Sequence, residues 1–324
     1  MGQTLLEIEN LEVSFQFDTG WHKVIRGVDL VVGRGRILGI IGESGSGKTV
    51  TLSAVLGLLD MDIARIGRGR ALYGGTDLLK LKEWQRAGLR GSSIGFVFQS
   101  PHGALNPYRT VGSQIKEVYT LHGLPVDRQA IGKTLESVGI IDPEAVLNMY
   151  PDQLSGGMAQ RVLIGMTTLL EPDLIIADEP TSAIDASLRK MVLDVVLRVN
   201  GDLGSTLVLI THDFDVVAYA CDDVAVMYGG MIMETGPVED LMDRPWHPYT
   251  RGVMDCAESL SLGDQVLVEM KGNGLDARKY TAGCPFAPRC DQGTAICHRE
   301  VPDWVTGQGR GYRCHHPRGW ENHD

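Results

Sequence analysis

The sequence predicts an α/β fold, and three observations carry that reading. Short apolar runs, Arg36 to Ile41, Leu174 to Ala177 and Thr206 to Ile210, each break at a turn of glycines or of polar and acidic residues, and the first two are followed by helical spacing. At the N-terminus, Leu5, Ile8 and Leu11, then Val13, Phe15 and Phe17 follow the spacing of antiparallel strands. Forty glycines suit a chain with many tight strand-to-helix turns.

In chain order, Leu5 to Phe17 and Val28 to Val32 form the opening sheet. Arg36 to Ile41 is a strand, followed by a Gly/Ser loop and a helix over Val50 to Leu59. From Gln99 to Thr168 the pattern is mostly helical, with Ile115, Val118, Tyr119 and Leu121 spaced for one face, so residues 100–168 are expected as an inserted helical subdomain. The α/β core resumes with Leu174 to Ala177, a helix around Leu188 to Val199, a strand Thr206 to Ile210, and a final strand over Val224 to Met227. Beyond Pro245 the chain turns Pro-, Gly- and Cys-bearing, and Ala257 to Lys279 has little periodicity, as a linker would. The predicted domains are residues 1–243 and a small Cys-rich extension, 244–324.

With 324 residues and 43% apolar content the chain can fill a sizeable core. Its net charge of -11, without a Lys/Arg cluster, argues against nucleic acid as a partner. Met1 to Asn10 carry Glu7 and Glu9 and lack the basic start and apolar run of an export signal, so a cytoplasmic protein is expected. No window reaches the roughly 18 to 20 apolar residues of a bilayer-spanning helix, so membrane association would come through partner proteins.

Gly42-Glu43-Ser44-Gly45-Ser46-Gly47-Lys48-Thr49 matches G-x4-GK[ST] between a strand and a helix. Gly42, Gly45 and Gly47 let backbone N–H groups, with those of Ser44 and Ser46, curl round phosphates. Lys48 brings a point charge to the outer phosphates, and the Thr49 hydroxyl can meet Mg2+. Glycine-rich turns match by chance in on the order of a few per cent of sequences, so the other motifs matter. Leu174-Ile175-Ile176-Ala177-Asp178-Glu179 is an apolar strand ending in two carboxylates. Asp178 can hold Mg2+ and Glu179 can polarise an attacking water; the competing reading is a pair of helix-capping acids. His212, at the end of a further strand, is the candidate for a γ-phosphate hydrogen bond, and Gln99 for contacting Mg2+ and the attacking water. Ser155, Gly156 and Gly157 open a helix whose free N–H donors suit an anion, one that another molecule could supply.

Taken in order, GESGSGKT, FVFQSP, LSGGMAQR, LIIADEP, TSAID and ITHD resemble the ATP-binding cassette (ABC) proteins over residues 1–243. The resemblance implies a P-loop NTPase core, ATP and Mg2+ as ligands, and a head-to-tail dimer. In it Ser155, Gly156 and Gly157 serve the partner's nucleotide and Asp185 links the two sites. Phe15 or Phe17 would stack on adenine. With Glu179 and His212 both present, the site is not a degenerate one; Met158 in place of the commoner Gln, and Ala159 after it, are mild departures. Leu105-Asn106-Pro107, Arg244-Pro245-Trp246-His247-Pro248-Tyr249-Thr250 and Cys-Pro-Phe-Ala-Pro-Arg-Cys ending at Cys290 are similar to the oligopeptide and dipeptide importers, a group with nickel-transporting members. That likeness implies a second, different ATPase subunit, two transmembrane permeases, an extracytoplasmic solute-binding protein, and a place on the cytoplasmic face of the membrane. It also implies that the helical residues from Gln99 to Tyr119 pass cassette closure to the permeases. A soluble ABC ATPase, a repair clamp or an iron-sulfur assembly factor, is the alternative class; long coiled coils or a second cassette in the chain would mark the clamps or ribosomal factors, and the sequence has neither.

Cys284, Cys290, Cys297 and Cys314 lie close together in a chain expected in a reducing compartment, which favours metal ligation over disulfides. Four thiolates suit zinc or an iron-sulfur cluster, and the subfamily resemblance favours [4Fe-4S]. Cys221 and Cys256 read as small core residues.

Overall fold

The protein is described by a computed structural model covering residues 3–182, 186–261 and 270–318. It divides into two compact units, one of residues 1–80 with 210–324 and one of residues 81–209.

The first unit opens with β1 (Thr4–Phe17) and β2 (Gly20–Gly33), an antiparallel hairpin with Leu6, Ile8, Leu11 and Val13 buried. β3 (Ile37–Ile41) leads into α1 (Lys48–Leu56), which stops where Gly57 takes φ 67° and donates back to the Ser53 and Ala54 carbonyls. β4 (Ala64–Tyr73) and β5 (Thr76–Asp77) complete a sheet of order β2-β1-β4-β5. The Arg- and Gly-rich β4 has no strand signature of its own. It is a strand because β1 offers it a second free edge, from Leu6 opposite Tyr73 to Phe15 opposite Ala64, helped by an Arg70–Glu9 ion pair.

The second unit holds α2 (Glu83–Leu89), β6 (Ile94–Val97), α3 (Pro101–Ala104), α4 (Val111–Leu121), α5 (Arg128–Ser137), α6 (Pro143–Leu147), α7 (Gly156–Thr168), β7 (Leu174–Asp178) and α8 (Ala186–Leu203). β6, unpredicted, pairs in parallel with β7 from Ile94 opposite Leu174 to Val97 opposite Ala177. The helices start where side chains satisfy their first N–H groups: Thr110 accepts from Ser113, Asp127 from Gln129 and Ala130, and Asp142 from Ala145. Each such cap contributes about 1 kcal/mol. The division between units falls inside β8 (Thr206–Thr211), whose six residues are all buried.

The chain then returns to the first unit with α9 (Phe214–Ala220), β9 (Asp223–Tyr228), β10 (Met231–Pro237), α10 (Val238–Asp243), α11 (Pro248–Ser261), β11 (Val305–Gly307) and β12 (Arg310–Tyr312). β9 runs parallel to β3 and antiparallel to β10, and β12 and β11 extend that edge. The strands therefore do not end at Met227, as the sequence predicts. β10 is buried on both faces and shows no alternation, while β11 and β12 are three residues each. Helix α11 also continues through Ala257 to Ser261, the start of the stretch expected to lack structure; residues 262–269 lie outside those described. One core cluster contains Ile41, Val226, Tyr228, Met233, Tyr249 and Phe286, so strands of the α/β core and the Cys-rich extension share buried side chains.

Candidate functional site

The phosphate-binding sequence forms the turn between β3 and α1, in the first unit. Gly47 sits at φ 107° as the residue before α1, where a Cβ would come within 2.5 Å of the Ile25 side chain. At Gly42 a Cβ would lie 2.1 Å from the Met227 carbonyl oxygen. Any side chain at either position would displace the turn. Lys48 is 5% exposed, its ammonium donating to the Gly42 carbonyl at 2.7 Å and that of Glu43 at 3.1 Å. Thr49 is exposed in the first turn of α1, and the Ser46 hydroxyl is buried without a hydrogen-bond partner. Tight glycines, a charge held at the loop and the first turn of α1 form a cradle for polyphosphate.

In the second unit, Asp178 is the last residue of β7 and is buried. Glu179 follows at φ 44°, a left-handed conformation costly for a residue with a Cβ and concentrated at functional sites. Ser182 holds this turn, its N–H and hydroxyl both donating to the Glu179 carbonyl. Gln99, just past β6, donates from Nε2 to Glu179 Oε2 at 2.9 Å, so two residues chosen independently from the sequence meet. Ser155 caps α7, accepting from the Met158 N–H at 3.3 Å, with Gly156 and Gly157 as its first residues.

His212 is exposed at the end of β8, before Asp213, which caps α9. Phe15 is half-buried and Phe17 exposed in β1. Asp185 lies outside the described residues.

Among the described residues no group of three or more His, Cys, Asp or Glu is arranged to hold a metal ion. Cys284, Cys290, Cys297 and Cys314, the residues expected to form a metal centre, line a single pocket together with His247. Burial pushes the Cys284 thiol up to about 11 and the Cys314 thiol up to about 12, and raises Cys290 as well. These groups are neutral thiols at physiological pH. His247 is 1% exposed; its Nδ1 accepts the Tyr249 N–H at 2.9 Å while its Nε2 is buried without a partner. Burial lowers its pKa to about 3, so the ring is neutral with its proton on Nε2.

The same extension reaches the phosphate loop, which sequence reasoning missed. Arg289 Nη1 donates to both Glu43 carboxylate oxygens, at 2.9 and 2.8 Å, and to the Tyr228 hydroxyl at 3.2 Å. Its Nε donates to the Lys271 carbonyl at 2.7 Å. The Glu43 N–H donates to the Tyr249 hydroxyl at 3.0 Å. Burial works against the Arg289 charge, yet the bonds to Glu43 and Tyr228 hold its pKa above the ordinary value. The segments containing Arg289, Tyr249 and His247 stood out in the sequence as motifs, but nothing local in them names these contacts.

Comparison with known proteins decides the family. Residues 25–182 match the ABC transporter model, and residues 233–297 match the oligopeptide/dipeptide transporter C-terminal region. The dipeptide transport ATP-binding protein DppD of Bacillus subtilis is 39% identical over 93% of this chain and 90% of its own length. The chain belongs to the ABC transporter family. Within it, the oligopeptide transport ATP-binding protein OppD of Salmonella typhimurium is 36% identical over 97% of this chain and 94% of its own. A solved cassette, cbiO1 of Clostridium perfringens, part of an ABC transporter complex, aligns with TM-score 0.63 and 26% identity over 74% of this chain and 91% of that one. A dimeric bacterial ABC transporter cassette, 24% identical, shares the fold with TM-score 0.64 over 72% of this chain and 99% of that one. The predicted P-loop NTPase fold is thus that of the ABC ATPases, and the chain is an ATPase of this family. Among the described residues no helix is long and apolar enough to cross a membrane.

Proposed function

We propose that this ABC ATPase energises the import of short peptides across the cytoplasmic membrane. The observation that carries this reading is the union in one chain of the cassette and the oligopeptide/dipeptide C-terminal region, supported by relatives named for dipeptide and oligopeptide transport. Solute selection falls to two transmembrane permeases and an extracytoplasmic binding protein, with this chain peripheral on the cytoplasmic face, residues 1–243 acting as the ATPase and 244–324 as its extension.

In the proposed site, Gly42, Ser44, Gly45, Ser46, Gly47 and Lys48 hold the phosphates, and Thr49, Asp178 and Gln99 attend Mg2+. Glu179 polarises the attacking water and His212 bonds the γ-phosphate. The Gln99–Glu179 hydrogen bond supports the pairing of water-orienting and water-polarising groups. Phe15 or Phe17 stacks on adenine. The capped N-terminus of α7, with Ser155, Gly156 and Gly157, serves the nucleotide of a partner cassette, a related but different subunit, with Asp185 linking the sites. Lys48→Ala is expected to weaken ATP binding by roughly a hundredfold or more; unchanged affinity in equilibrium binding would remove the phosphate-loop assignment. Purification from the native membrane in mild detergent tests the assembly: two permeases and a second, distinct cassette support the reading, and a chain recovered alone contradicts it.

We further propose a [4Fe-4S] cluster as the occupant of the thiol pocket. One pocket lined by all four cysteines, with the unpartnered Nε2 of His247 buried beside it, supports that fit. A single zinc ion would need the thiols to converge on one point, whereas a cluster takes its four thiolates on a larger cage. Cys284, Cys290, Cys297 and Cys314 would be its ligands, losing their protons on binding, and a structural cross-link is what it would supply. Chain purified without oxygen is expected to absorb broadly near ~400 nm and to carry about four irons; colourless protein with stoichiometric zinc would overturn this.

A further inference from the structure

The C-terminal extension does more than pack beside the ATPase core, because one of its side chains reaches the polyphosphate cradle. Glu43 is the second residue of that cradle, and its carboxylate is a negative charge on a loop whose ligand is itself strongly negative. In water such a charge would repel ATP; here Arg289 meets it with two hydrogen bonds from one nitrogen, at 2.9 and 2.8 Å. The pair is set on both sides. The Arg289 side chain is 8% exposed and that of Glu43 28%, low enough for the charges to interact with little screening. Arg289 is fixed by the Tyr228 hydroxyl, by the Lys271 carbonyl and by the Tyr228 and Phe286 rings, whose centroids lie 5.7 and 5.9 Å from its guanidinium carbon. Glu43 is fixed by its own N–H on the Tyr249 hydroxyl. Arg289 precedes Cys290 in the turn Ala287–Arg289, the backbone that runs between two of the pocket cysteines.

We propose that Arg289 is a positioning residue of the ATP site: it neutralises Glu43 and holds the phosphate loop in its nucleotide-binding form, so the Cys-rich extension sets the affinity for ATP. Arg289 acts through Glu43, the loop residue whose carboxylate it holds. The inference rests on the phosphate loop and is independent of what fills the thiol pocket.

The test is a double-mutant cycle on the full chain, reading ATP affinity by equilibrium binding and turnover in the assembled transporter. Arg289→Ala is expected to weaken ATP binding roughly tenfold and to raise KM while kcat stays within about twofold. Arg289→Lys, which keeps the charge, should recover most of the loss. In a Glu43→Gln background, where there is no charge to neutralise, Arg289→Ala should cost less than about threefold. Lys48→Ala is the control for the loop itself. If Lys48→Ala abolishes binding and Arg289→Ala leaves it unchanged, the positioning role is overturned while the ATP site stands. If the Arg289→Ala loss is undiminished beside Glu43→Gln, Arg289 is merely structural and the inference fails. Should Arg289→Ala not fold, by thermal unfolding, Arg289→Gln, which keeps much of the side chain's length but not its charge, is read with and without Glu43→Gln instead: wild-type ATP affinity beside an intact Glu43, or a loss undiminished beside Glu43→Gln, overturns the inference.

Discussion

Replacing Glu179 by Gln is expected to cut steady-state phosphate release by about a hundredfold to a thousandfold while ATP binding is retained. The substitution is close to isosteric, so the strained backbone at φ 44° and the bracing by Ser182 are unchanged. The side-chain oxygen can still accept from Gln99 Nε2, as it does now at 2.9 Å. What disappears is the negative charge that would polarise a water, and with it the chemical step. ATP would still enter and two cassettes would still close, so the variant should accumulate as a nucleotide-bound dimer, visible by size-exclusion chromatography with light scattering. Turnover near the wild-type rate would remove Glu179 from the role of general base.

Much of this site was legible in the sequence, for a local reason. The phosphate loop is one contiguous turn in which residue type and spacing carry the mechanism, and close neighbours give Gly42 and Gly47 a steric reason to be there while Gly45 is favoured by its positive φ. The caps of α4, α5, α6 and α7 are likewise short-range. What escaped were relations over long separations: the 80 residues between Gln99 and Glu179 gave no hint that they bond, and the 246 residues between Glu43 and Arg289 gave none either. Strands were missed where the period-2 signal was absent. β4 is basic and glycine-rich, and β10 is buried on both sides, so neither alternates. The four cysteines were read as one group from their proximity in sequence, and they do share a pocket, but without the convergence a single ion demands.

Acid is expected to destabilise the unit that holds the thiol pocket, through His247. The ring is fully enclosed and its pKa falls from 6.5 to about 3 because burial penalises the cation. Above pH 6.5 the imidazole is neutral whether the chain is folded or not, and this contribution is constant. As pH falls from 6.5 towards 3, the unfolded chain takes a proton that the folded chain refuses, so stability drops throughout that window. At pH 4.5 the loss from this group should be about 2 to 3 kcal/mol, rising to on the order of 4 kcal/mol nearer pH 3. Urea unfolding at pH 6.5 and 4.5, with a chelator present to keep the pocket in one state, measures it. His247→Asn should flatten that part of the slope; an identical slope in both proteins would assign the acid sensitivity to other groups.

Glu234 places a limit on how the chain can be divided. Its carboxylate in β10 is fully buried and accepts hydrogen bonds from groups that come later in sequence: the Trp246 and His247 N–H groups at 2.8 and 3.0 Å and Arg310 Nη2 at 2.9 Å. β12, which brings Arg310, also covers the open ladder of β10. A chain ended before residue 300 would therefore enclose an anion lacking its cation and bare a strand edge, two defects that favour misfolding and self-association. Residues 305–312 thus act on the manufacture of the protein as well as on its finished form: while the chain is being made, β10 keeps an open edge and Glu234 lacks its cation until Arg310 has emerged.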